Sequence, residues 1–187
     1  MEFLSALWLP IVLGAVLVFI VSSLVHMVLG WHKSDFRAVP NESRVMEALR
    51  AHGVGPGSYV IPHAASAKDC SSPEMKAKYE QGPVAFMTVL PNGAPSIVKS
   101  LIQWFVFSLL VGALSGYVAW HTLAPGAEYP SVFRITGAVS FGIYGLACTV
   151  DTIWKGQSWG ATLKFMFDGL LYAFATAGTF GWMWPAA

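Results

Sequence analysis

Residues 3–29 read FLSALWLPIVLGAVLVFIVSSLVHMVL and run directly into GWHKSDFR at 30–37. A helix of about 20 apolar residues crosses a hydrocarbon core of about 30 Å. The first string exceeds that length and holds no Asp, Glu, Lys or Arg. Lys33, Asp35 and Arg37 then arrive within five residues, which marks the end of the apolar run. A cleaved signal peptide fits poorly, because no basic residue precedes the run and no Ala-x-Ala follows it. A retained helix is expected, kinked at Pro10 unless its neighbours compensate.

Three more apolar stretches follow, at 97–123, 132–153 and 163–184. The chain is 55% hydrophobic and only 11% charged, well below the roughly 25% charged residues of an average soluble domain. The eight Trp fall near the ends of the stretches, where an amphipathic ring prefers the headgroup level. The expected fold class is therefore an all-α membrane protein. It has four transmembrane helices and a small α+β cytoplasmic loop module between helices 1 and 2. Three regions follow: helix 1 at 1–30, the module at 31–95, and a three-helix transmembrane region at 96–187.

The basic residues suggest the threading. Lys33, Arg37, Arg44, Arg50, Lys68, Lys76, Lys78 and Lys99 lie between the first two stretches, and Lys155 and Lys164 between the last two. Arg134 alone lies on the other side. Positive charge accumulates on the cytoplasmic face. The expectation is a bacterial inner membrane location, with loop 31–95 in the cytoplasm and both termini outside.

The loop has the punctuation of a folded unit. Pro40-Asn41-Glu42 reads as a helix start, with Asn41 placed to accept a free backbone N–H. Val45, Met46 and Leu49 then form an apolar stripe. Gly53–Gly57 is a helix stop and turn rather than a phosphate cradle, since it leaves a helix, contains Pro56 and lacks a following Lys-Ser or Lys-Thr. Ser71 to Glu74 has capping-box spacing. Strands are expected at 58–61 and 84–90. Such a unit buries little surface and is marginal alone.

Charge inside a membrane is costly and tends to face the bundle interior or water. Asp168 is the deepest carboxylate, and Lys164 precedes it by four residues, so the two can pair on one helix face. Asp151 and Lys155 repeat that spacing. Asp151, Lys155, Lys164 and Asp168 are expected as one network, acting as a structural clasp in preference to an ion path. His26, His32, Asp35 and His63 are the only grouping with metal-ligand chemistry; none shows the i,i+4 pairing of a preformed site, so interfacial contacts are preferred. Ser108, Gly112 and Gly116 on helix 2, and Ala138 and Gly142 on helix 3, offer small-residue packing faces. Cys70 and Cys148 are read as unbridged.

No catalytic metal or redox motif stands out: His-Glu-x-x-His and Cys-x-x-Cys are both missing. The net charge of +1 opposes nucleic-acid binding, which needs a basic patch. No cofactor is expected. The leading expectation is a non-enzymatic accessory or assembly subunit of a membrane complex. Its partners would be the lipid bilayer and another membrane protein or a second copy. The alternative is a small transporter or channel component using Asp168 and Asp151, and a membrane enzyme comes third.

Overall fold

The structure is a computed structural model that describes residues 2–187. It is mostly helical and divides into two compact units. One joins the chain up to Phe36 with Ser96–Ala187; the other is Arg37–Pro95.

The first unit holds α1 (Glu2–Ser23), α5 (Ile97–Thr122), α6 (Tyr129–Tyr144), α7 (Thr149–Lys155) and α8 (Trp159–Trp182). α5 packs on α1 and α6, and α8 packs on the same two helices, so the four long helices close into a ring. Three helical stretches are long and apolar enough to cross a membrane: Glu2–Leu29, Ile97–Thr122 and Tyr129–Lys155. α8 occupies the fourth expected stretch but falls outside that apolar class, its mean hydropathy lowered by Lys164, Asp168 and its Gly and Thr residues. Its position explains the composition. Flanked by α1 and α6, it buries Ala173, Thr176, Ala177 and Phe180 against protein.

Burial in this unit is inverted relative to a water-soluble bundle. Val12, Val16, Ile20, Val106 and Leu110 are exposed, whereas Ser108, Ser115, Thr136, Ser140 and Thr176 are buried. Lipid favours apolar outer faces, and polar side chains are satisfied between helices. Ser115 and Ser140 hydroxyls meet at 3.0 Å across α5 and α6. The Trp104 indole N–H donates to Ser22 Oγ at 2.9 Å across α5 and α1. Thr152 and Thr162 hydroxyls join α7 to α8. Two apolar clusters complete the core: Leu7, Ile11, Val132 and Phe180, and Val18, Val111, Tyr144 and Tyr172.

The small-residue faces divide. A Cβ on Gly112 would meet Ile11 at 3.5 Å and one on Gly116 would meet Phe180 at 3.0 Å, with Ser108 buried beside them. Ala138 is exposed, and a Cβ on Gly142 would meet nothing within 4 Å. The buried face of α6 instead runs through Val132, Thr136, Ser140 and Tyr144. The tightest approach to another backbone is at Gly169, where a Cβ would stand 2.5 Å from Gly145. The third stretch is broken at that crossing. α6 ends at Tyr144, and a short 3-10 turn, Leu146–Cys148, leads into α7.

The second unit runs α2 (Glu42–Ala51), β1 (Gly57–Ile61), α3 (Ala67–Cys70), α4 (Pro73–Gln81) and β2 (Ala85–Val89). The strands pair antiparallel, with Gly57 opposite Val89 and Ile61 opposite Ala85. Ser72, not Ser71, caps α4: its hydroxyl accepts from the Met75 N–H at 3.1 Å, with Pro73 in the first turn. Asn41 makes no side-chain cap bond, because it sits in the left-handed region at φ 53°. Met75 is the one buried residue of this unit among those described. Cys70 and Cys148 are both free thiols.

Candidate functional site

The end of α1 builds the first half of the site. After Ser23 the helix widens into a π-helical segment, Leu24–Leu29. Such widening shifts side-chain register by a fraction of a turn and recurs at functional positions. Gly30 closes the segment in the left-handed conformation, φ 61°, which a side chain would strain. The chain then folds into a 3-10 turn, Trp31–Ser34, followed by Asp35. His26, His32 and Asp35 thus come from three successive local conformations.

α8 supplies the second half. Lys164, Asp168 and Tyr172 recur every four residues and share one helix face. The two halves meet in a chain of polar contacts. Lys164 Nζ donates to Asp35 Oδ1 at 2.5 Å, Ser34 Oγ at 2.9 Å and the Trp31 carbonyl at 2.8 Å. These three acceptors match the three donors of an ammonium. His32 Nδ1 lies 2.6 Å from Asp35 Oδ2, and His32 Nε2 lies 2.7 Å from Asp168 Oδ2. His26 Nε2 lies 3.9 Å from the same Asp168 oxygen and 3.3 Å from the Tyr172 hydroxyl. Phe165 stacks on the His32 ring at 4.8 Å, which holds its plane.

The expected charge network is rearranged by this geometry. Lys164 takes Asp35 as its partner rather than Asp168. The reason is tertiary: the turn after Gly30 delivers three acceptors to the ammonium, while His32 covers Asp168 Oδ2. Asp151 and Lys155 do pair, at 2.7 Å, but as an exposed couple at the end of α7. Among the described residues it shares no hydrogen bond with the Asp168 chain. His63 belongs to the other unit, where it lines an open groove with Ser58, Tyr59 and Phe86.

Asp168 is 1% exposed, and its Oδ1 has no hydrogen-bond partner among the described residues. His32 faces a carboxylate at each ring nitrogen. At 2.7 Å an imidazole nitrogen and a carboxylate oxygen must share a proton or a cation, since two lone pairs repel. With His32 as imidazolium, Lys164, Asp35, His32 and Asp168 form a neutral string of alternating charge. Buried charges need this degree of pairing. The Lys164 hydrogen bond, backed by His32, holds the Asp35 carboxyl below the usual carboxylate range, against the opposing effect of burial.

His26 is the accessible end of the chain, with 41% of its side chain exposed. A groove of about 240 Å³ opens beside it, lined by Ser22, Ser23, Met27, Ser100, Leu101 and Trp104. A different groove, of about 430 Å³, is lined by Leu13, Leu17, Tyr129, Phe174 and Trp182 and is almost wholly apolar. Its lining comes from α1, α6 and α8 and includes none of the ionisable residues of the chain of contacts.

Neither a known family, nor a curated protein, nor a solved structure matches the chain.

Proposed function

We propose that the chain is a four-span membrane protein of the bacterial inner membrane. Both termini lie outside, residues 31–95 face the cytoplasm, and the protein acts as a non-enzymatic accessory or assembly subunit. One observation carries the subunit reading. In the 37–95 unit Met75 alone is buried, while Val45, Met46, Val84, Phe86 and Leu90 stay exposed. A unit with so little core gains stability by covering those side chains. The covering surface would be another membrane protein or a second copy. Counting α8 as a span rests on its 24 residues and its ring position between α1 and α6.

The test uses tag-free protein in mild detergent. A stoichiometric complex is expected in the native protein, and its dissociation in Val45→Asp and Phe86→Asp. A monomer indifferent to both substitutions would sink the reading. Threading is tested by thiol labelling in intact cells. Ser66→Cys should resist an impermeant reagent until the membrane is opened, and Ala187→Cys should react at once.

A small transporter or channel component is the second reading, favoured by the buried, half-unpartnered Asp168. Neither groove beside the bundle is lined by Asp168, and Asp151 is engaged on the surface, so this reading ranks below the first.

A further inference from the structure

We propose that His26, His32 and Asp168 bind one divalent transition-metal cation of the zinc class, with Asp35 orienting His32 and Lys164 fixing Asp35. This inference is independent of the subunit reading above.

The ligand atoms of these three residues all lie within 4.8 Å of one another. They come from the π-helical segment, the 3-10 turn and α8, so the fold gathers them from separate elements. Two imidazoles and a carboxylate suit zinc and its transition-metal neighbours; calcium and magnesium prefer oxygen throughout. Tetrahedral coordination at about 2.0–2.1 Å separates ligand atoms by about 3.3 Å. Asp168 Oδ2 is 2.7 Å from His32 Nε2 and 3.9 Å from His26 Nε2. Of these two, one must open and the other close by about 0.6 Å to reach that geometry, and the third separation, between the two imidazoles and within 4.8 Å, is set by the position of the half-exposed His26 ring. Rotamer adjustment covers movements of that size.

The orienting shell is already built. His32 Nδ1 at 2.6 Å from Asp35 Oδ2 is the carboxylate–histidine arrangement that fixes a ligating tautomer. It makes the Nε2 lone pair the ligand once the proton shared with Asp168 has left. Lys164 anchors Asp35 from behind, and Phe165 holds the ring. Two observations gain a common cause. Asp168 Oδ1 is buried without a partner, and His26 stands too far from Asp168 for a hydrogen bond yet close enough to share an ion. Binding would displace the proton shared by His32 Nε2 and Asp168 Oδ2, and that proton would leave to solvent. The groove beside His26 offers an entry route. A water or the Tyr172 hydroxyl, 3.3 Å from His26 Nε2, can complete the fourth position.

The test uses tag-free, full-length protein in mild detergent, stripped with a chelator and then loaded with zinc alone. One zinc per chain is expected to survive desalting. His26→Gln, His32→Gln and Asp168→Asn should each abolish retention. Asp35→Asn should weaken it about 10–100-fold, and His63→Gln should leave it unchanged. Cupric ion loaded into the native protein gives a readout that needs no variant: its electron paramagnetic resonance should show two imidazole nitrogens. Retention below about a tenth of an equivalent overturns the proposal, and so does a copper spectrum without nitrogen. Zinc retained by both His32→Gln and Asp168→Asn, or lost in His63→Gln alone, overturns the assignment as well.

Discussion

The helical unit and the 37–95 unit dispose of their apolar side chains in contrasting ways. Besides its apolar core, the helical unit places many Leu, Val and Phe side chains outward and buries Ser108, Ser115, Thr136, Ser140 and Asp168. The 37–95 unit exposes both its charges and most of its apolar residues, and buries Met75 alone. The first arrangement is stable where lipid is the solvent, because helices satisfy their own backbone and interhelical hydrogen bonds take care of the side chains. The second has no solvent that suits every face. Regular secondary structure and a folded core are separable achievements, and local signals such as the Ser72 cap deliver only the first.

The largest expected effect would break this comparison outright. Residues 37–95 expressed alone should show no cooperative thermal transition, since a single buried Met cannot offset the chain entropy. A sharp melt followed by circular dichroism would show that the unit has a core of its own.

Next in size is Asp168→Asn in the full chain. Removing one member of a buried charge string can cost about 3–5 kcal/mol. The detergent melting temperature should fall by several degrees, whereas Asp151→Asn, in the exposed pair, should change it little. Equal effects from the two variants would mean that burial does not distinguish them.

A double-mutant cycle sharpens the wiring. Lys164→Met and Asp35→Leu should couple by about 0.5–3 kcal/mol, the double variant recovering part of the loss, as expected for groups in contact. Lys164→Met with Asp168→Leu should come closer to additivity, because no direct bond joins them. A larger coupling in the second pair would restore the simple i,i+4 clasp.

The smallest expected effect lies in the bundle wall. Ser115→Ala should cost about 0.6 kcal/mol, the typical worth of an interhelical hydrogen bond in a membrane. The change is readable as a shift in the midpoint of a denaturant titration. A loss several times larger would assign the Ser115–Ser140 bond a role in specifying helix register.

Sequence reading went furthest where one local physical cause dominates. Residues 3–29 and 97–123 are legible because lipid selects on composition alone, and the strand and turn signals of 57–89 because Gly and Pro act on their own dihedrals. It fell short where two distant segments meet. Asn41 has the right chemistry for a cap but the wrong backbone angle. The spacing of Lys164 and Asp168 is sound, yet periodicity on one helix cannot disclose that Ser34, Asp35 and the Trp31 carbonyl arrive from another part of the chain. Nothing local joins Tyr172 to His26, whose contact crosses from α8 to the end of α1.

The sequence by itself determined that long apolar helices carry the protein, that a polar, turn-rich segment separates the first from the rest, and that ionisable groups gather near helix ends. Composition and short-range periodicity suffice for this, since burial in lipid and backbone preference act residue by residue. Only the tertiary structure decided that the third helix breaks where Gly145 meets Gly169, that α8 sits between α1 and α6, and that His26, His32, Asp35, Lys164 and Asp168 form one chain of contacts. Each depends on packing between residues more than 100 positions apart or on backbones touching across a crossing, and the free energy of such contacts belongs to no single segment.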